Sequence, residues 1–194
     1  LPMAVLLAEK PQVDIPEIKN SVTKAHDQVV FLADMVNDLS ALSRAQRDDK
    51  SMDVETFSVD EVLKELEETY KPQADKKGLY LKVDIAPSIP PLTTSRLYFR
   101  EILQNFITNA IKYTPSGEAS LKVHWSGHIA EFAVADTGIG IDPAEAARIF
   151  EPFHRLHSAE TANTPGMGLG LTITKLLVTV LGGEITVASA PKAG

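Results

Sequence analysis

Cysteine is absent from this chain. That excludes disulfide staples and thiolate metal sites, and a reducing cytoplasm is a compatible setting. No apolar run is long enough to span a bilayer and no signal-peptide pattern opens the sequence, so no membrane contact is expected within this stretch. A long basic run is also missing: 19 Lys and Arg are set against 26 Asp and Glu, a net charge of −7. Such a surface is not expected to hold nucleic acid by electrostatics. What is present suffices for a core, since hydrophobic residues make up 44% of 194 positions, room for one good domain and an additional element. No initiator methionine precedes Leu1, and Pro191-Lys192-Ala193-Gly194 comes closely after a predicted strand. Both ends therefore read as cuts in a longer protein.

Residues 1–10 are apolar and helical in character, and the prolines of residues 11–16 mark a turn. A second helical pattern covers residues 17–47, in which Val22, Val29, Leu32, Val36, Leu39 and Leu42 recur at spacings of three, four and seven. This heptad-like stripe fits a helical bundle or coiled coil. Two antiparallel helices cannot bury both faces alone, so a partner chain is expected. The charged residues 47–51 mark a linker, which divides a helical hairpin (1–50) from a second domain (51–194).

Beyond the linker, helices and strands alternate. Ser58 can cap a helix over 59–77, with Glu61 completing a capping box and Gly78 ending it. Leu79, Leu81, Val83 and Ile85 alternate along a strand over 79–86. After a proline-rich loop at 87–91, Thr94 or Ser95 can cap a helix that runs to Thr114. Strands over 118–125 and 129–136 are joined by the turn Ser126-Gly127-His128. A helix over 172–181 is stopped by Gly182-Gly183, and a last strand covers 184–189. The pattern predicts an α/β sandwich with helices covering one face of the sheet.

The helix over 95–114 has two faces. Phe99, Ile102, Leu103, Phe106, Ile107, Ala110 and Ile111 form the apolar one, while Glu101, Asn105, Asn109 and Lys112 line up in a polar stripe. Asparagine is a poor interior helix residue because its amide competes for local backbone bonds. Two readings are open: a solvated face, or a site in which an amide oxygen suits magnesium and an ammonium suits phosphate. Asp136 closes the next strand pair on the same side as Ala130, Phe132 and Val134. A carboxylate on an apolar face needs a donor, for which an adenine amine would serve. Gly138 and Gly140 come next, permitting positive φ or the close approach of a flat ring, although a strand-end turn has the same composition.

Gly166, Gly168 and Gly170 open the helix after 170, leaving N–H groups available to phosphate oxygens. No strand leads into them and no Gly-Lys-Ser/Thr comes after, so they match neither the dinucleotide fingerprint nor a P-loop. Between the glycine sites lie Phe150-Glu151-Pro152-Phe153-His154-Arg155 and a Ser/Thr/Asn/Ala stretch at 158–164, the composition of a mobile lid.

The order of these boxes carries more than any one of them. Asn-x-x-x-Asn-x-x-Lys-Tyr, Asp-x-Gly-x-Gly, Phe-x-x-Phe-x-Arg and Gly-x-Gly-x-Gly from residue 56 onward resemble the ATP-binding domain of sensor histidine kinases. That family shares its GHKL, or Bergerat, nucleotide fold with Hsp90, DNA gyrase B and MutL. The resemblance implies an α+β, two-layer fold with a mixed sheet. It further implies magnesium at Asn105, phosphates attended by Asn109, Lys112 and Arg155, and Tyr113 near the base. Asp136 would meet the adenine amine, and Gly138, Gly140, Gly166, Gly168 and Gly170 would shape the pocket. Glu101 would help organise magnesium rather than serve as a dedicated water base. Thr93 stands where family members often carry aspartate, which affects a cap and not catalysis.

Residues 31–44 resemble the second helix of that family's dimerisation and phosphotransfer hairpin. Residues 1–7, a proline and then an apolar helical run, resemble the segment on the C-terminal side of its phosphorylated histidine. The resemblance thus implies an acceptor histidine upstream of Leu1, a homodimer and a response regulator as partner. His26-Asp27 mimics the start of the acceptor box, but Gln28-Val29-Val30 stands in place of the expected arginine and proline. His26 is therefore read as a structural bundle position. His124, His128, His154 and His157 show no ligand spacing and are read as solvated. The rivals to an ATP-dependent histidine kinase are a GHKL-type ATPase and a nucleotide-responsive scaffold without catalysis.

Overall fold

The computed structural model describes residues 15–46, 52–85, 89–156, 166–191 and 194. The first arm of the predicted hairpin, the linker at 47–51, His157 and the segment at 158–164 lie outside the described residues. The chain divides into two compact units, Leu1–Asn37 and Asp38–Gly194.

Helix α1 (Ile15–Gln46) is 32 residues long, and Pro16 sits in its first turn, where a missing N–H costs nothing. Val22, Val29, Leu32, Val36 and Leu39 are all more than half exposed along it. His26 is exposed too. A heptad stripe left in water is a surface that a further helix would cover.

In the second unit a short strand β1 (Glu55–Phe57) pairs antiparallel with β3 (Leu92–Thr94), and the Thr56 and Thr93 hydroxyls share a 2.8 Å hydrogen bond. Helix α2 (Val59–Lys77) starts as predicted, with the Ser58 hydroxyl accepting from the Glu61 N–H. It ends at Gly78, which is left-handed at φ 74° and donates to the Ala74 and Asp75 carbonyls. Strand β2 (Leu79–Ile85) runs parallel to β4 (Gly117–Ser126), which pairs antiparallel with β5 (Ile129–Asp136). The sheet is thus mixed, in the order β2-β4-β5. A parallel pair needs a crossover, and α3 (Arg96–Tyr113), capped by Ser95 and not Thr94, lies within it. The short α4 (Pro143–Ala146) and then α5 (Gly170–Val180) complete the order.

Alternation along β2 and β4 turns Leu79, Leu81, Ala119, Leu121 and Val123 into one core with α2 and α3. Phe99 is its aromatic centre, 5.4 Å from Phe57 and 4.9 Å from Phe132 between ring centroids. A second cluster joins Ile102 of α3 to Leu169, Ile173 and Leu177 at α5. Phe106, placed by its spacing on the buried face, is only partly buried and packs against this second cluster. Residues 184–189 correct the predicted last strand: they join no ladder among the described residues. Alternating Ile185, Val187 and Ser189 supplies strand propensity, but a strand exists only where a neighbouring edge accepts it.

Candidate functional site

The polar stripe of α3 meets the start of α5. Asn105 Nδ2 donates to Thr174 Oγ1 at 2.7 Å, and Thr174 in turn donates to the Gly170 carbonyl at 3.0 Å. Asn109 Nδ2 donates to Asn105 Oδ1 at 3.2 Å. A Cβ on Gly170 would stand 2.7 Å from Asn105 Oδ1, so glycine is what lets the helix start lie against the amide. Glu101 sits one turn before Asn105, partly buried on the same helix.

The other two glycines of the box approach two cations of the site. A Cβ on Gly166 would come 2.7 Å from Lys112 Nζ. On Gly168 it would meet the His154 carbonyl at 2.5 Å and Arg155 Cγ at 3.1 Å. The Gly168 carbonyl also accepts from the Phe153 N–H at 3.0 Å. Phe153 is left-handed at φ 62°, a costly conformation for a non-glycine residue that is held by its surroundings.

Lys112 and Tyr113 link this end to β5. Lys112 Nζ lies 5.2 Å from the centre of the Tyr113 ring. The Tyr113 carbonyl accepts from Ile139 N–H at 3.3 Å, and a Cβ on Gly138 would strike that carbonyl at 2.5 Å. Asp136 Oδ1 accepts from the Gly138 N–H at 2.8 Å and from the buried Thr114 hydroxyl at 3.2 Å. Gly140 contributes a left-handed backbone at φ 68° to the same loop. Contacts therefore run unbroken from Gly170 through Asn105 and Asn109, and again from Gly166 through Lys112 and Tyr113 to Gly138 and Asp136.

Burial raises the Tyr113 phenol above its ordinary pKa of 10.0, and the charge of nearby Arg155 pulls it down. A raised acid contributes stability that is fully present below its unfolded pKa and lost as pH rises through the folded one. The difference in phenolate absorbance between the wild type and Tyr113→Phe is expected to show a midpoint above 10.0. A midpoint at or below that value would show that burial of the ring does not outweigh the Arg155 charge.

Two residues missed by sequence reasoning hold the site together. Thr174 lies on the buried side of α5 with Ile173 and Leu177, and Thr114 is a fully buried helix terminus. A hydroxyl in an apolar stripe is the available signal for Thr174. His154 is a correction, since it is not solvated: its side chain is 13% exposed and Nε2 lies 2.7 Å from Glu145 Oε2. His124 and His128 are exposed, as expected. Among the described residues no group of three or more His, Cys, Asp or Glu side chains could hold a metal by itself. No described helix is long and apolar enough to cross a membrane.

Comparison with known proteins agrees with this geometry. The family profile for the histidine kinase-, DNA gyrase B- and HSP90-like ATPases matches residues 94–194. The sensor histidine kinase RcsC of Salmonella typhimurium is 30% identical over 178 residues, 91% of this chain and 19% of that protein. The autoinducer 2 sensor kinase/phosphatase LuxQ of Vibrio vulnificus is 37% identical over 162 residues, 80% of this chain and again 19% of its relative. The chain thus spans about a fifth of the length of these relatives. Full-length ShkA, solved in complex with AMPPNP, superposes with a TM-score of 0.72 at 29% identity, covering 86% of this chain and 34% of ShkA. The Acinetobacter baumannii histidine kinase AdeS shares the fold, with a TM-score of 0.71 at 22% identity over 88% of this chain and 78% of AdeS. The chain belongs to the histidine kinase-, DNA gyrase B- and HSP90-like ATPase family and, within it, to the GHKL-type sensor histidine kinases.

Proposed function

We propose that this chain is the ATP-binding core of a cytoplasmic protein-histidine kinase, which passes the γ-phosphoryl group of Mg-ATP to a histidine and then to an aspartate of a response regulator. One observation carries the reading. The three glycines of the box each lie too close to a neighbour to carry a side chain: Gly166 against the Lys112 ammonium, Gly168 against the Phe153–His154 backbone and the Arg155 stem, and Gly170 against the Asn105 amide. A loop that needs no side chain at any of these places leaves its N–H groups near phosphates.

In this reading Lys112, Arg155 and Asn109 attend the phosphates, Tyr113 lies near the base, and Asp136 accepts from the adenine amine. Gly138 and Gly140 give the base its backbone floor. The donor set fits magnesium that arrives with the nucleotide, because one amide oxygen, that of Asn105, is enough when phosphates and waters supply the rest. The ion would neutralise charge on the phosphates when bound. Glu101, one turn away, helps to orient that shell. The acceptor imidazole, neutral at physiological pH, presents a nitrogen lone pair that needs little activation. Its N–P bond forms as the bond from the γ-phosphorus to the bridging oxygen breaks and ADP leaves, so the protein's part is positioning and charge complementarity. The exposed stripe of α1 would be covered by a second copy, which gives the homodimer.

The test is calorimetric titration of this chain with AMPPNP in the presence and absence of magnesium. One saturable, magnesium-dependent site is expected, and no binding would leave a scaffold. Acid-labile phosphate on the full-length protein after incubation with ATP marks the kinase; ATP hydrolysis without it marks an ATPase.

A further inference from the structure

The last turn of α3 carries Asn109, Lys112 and Tyr113, and it ends against Pro115. The last four carbonyls of a helix have no partner within it. Here the Ala110 carbonyl accepts from the Thr114 N–H at 3.1 Å and the Tyr113 carbonyl from the Ile139 N–H at 3.3 Å. The Ile111 carbonyl would ordinarily look to the amide four residues on, but that residue is proline and has no N–H. Both remaining carbonyls are served from another helix. Lys77 Nζ donates to the Ile111 carbonyl at 2.6 Å and to the Lys112 carbonyl at 2.9 Å. Lys77 is the last residue of α2, and left-handed Gly78 turns the chain away immediately after it.

We propose that Lys77 is a positioning residue for the nucleotide site: its ammonium stands in for the amide that Pro115 lacks and fixes the turn on which Asn109, Lys112 and Tyr113 stand. A cation at a helix C-terminus also complements the helix dipole. The influence extends to β5, because the Tyr113 carbonyl is the group that bonds Ile139 and abuts Gly138. Lys77 touches no nucleotide in this arrangement and acts through the backbone alone. The ligand in question is that of the proposed function, on which this inference rests.

The test compares Lys77→Met and Lys77→Gln with the wild type by AMPPNP titration with magnesium, well below the melting temperature, and by amide hydrogen exchange without ligand. Lys77→Met is expected to weaken binding roughly tenfold, the scale of losing two charge-assisted hydrogen bonds at one remove. The Thr114 and Ile139 amides should exchange faster in the same variant. Lys77→Gln, which keeps a donor, should lose less, and its comparison with the wild type decides if Lys77→Met does not fold. A lower melting temperature with wild-type affinity, or with unchanged exchange at those two amides, overturns the inference. If the wild type itself binds no AMPPNP, the functional reading fails, and the two amides alone decide whether Lys77 holds the turn.

Discussion

Asp136→Asn is expected to weaken nucleotide binding about a hundredfold while leaving the fold intact. Among the described residues one carboxylate oxygen is used, Oδ1, which accepts from the Gly138 N–H and the Thr114 hydroxyl. An asparagine can keep both bonds through its carbonyl oxygen. Its NH₂ would then take the place of Oδ2 and, in the proposed complex, confront the adenine amine, donor against donor. The cost is a lost charge-assisted bond plus an unpaired buried donor, about 3 kcal/mol together. Titration with AMPPNP reads the affinity and thermal melting confirms the fold. Wild-type affinity would remove Asp136 from the base-binding end of the site.

Gly138→Ala should damage both stability and binding. The added Cβ would stand 2.5 Å from the Tyr113 carbonyl oxygen, 2.6 Å from Asp136 Oδ1 and 3.0 Å from Thr114 Oγ1. The first of these is backbone, tied to Ile139 at 3.3 Å, so it cannot move aside like the tip of a flexible side chain. Overpacking of this kind costs about 1–3 kcal/mol. The melting temperature should fall by roughly 5 °C for a chain of this size, and binding by more than tenfold because the displaced atoms include the Asp136 carboxylate. Gly127→Ala is the matching control. Gly127 is left-handed at φ 61° with open space around it, so alanine there should cost stability through the backbone and leave affinity alone. If the two variants bind alike, the close approach at Gly138 is not part of the site.

The contrast between these glycines bears on how much structure a bare sequence displays. Caps and stops are local chemistry, so Ser58, Gly78 and Ser95 mark their helices. The period of a helix is local too, which is why Glu101, Asn105, Asn109 and Lys112 align without knowledge of the fold. Partners across the chain are not local. Thr174 is 69 residues from the Asn105 it bonds, and Lys77 lies 34 from the Ile111 carbonyl. His154 looks solvated in the sequence because nothing in its neighbourhood announces that Glu145 folds back onto it. The β1–β3 pair, three residues a side, is too short to set up a period. Residues 184–189 have the period and lack a partner edge among the described residues.

Helix α3 is shared between two apolar clusters of unequal size. Among the described residues the one against the sheet has 17 buried members, while the one that seats α5 has four, Ile102, Leu169, Ile173 and Leu177. Detaching α5 and its glycine loop would break the Asn105–Thr174 bond and wet the smaller cluster, leaving the larger one dry. The wall that would grip a phosphate tail therefore rests on the smaller of the two clusters, so substitutions at Ile102, Ile173 or Leu177 should loosen that wall before they melt the sheet side of the domain.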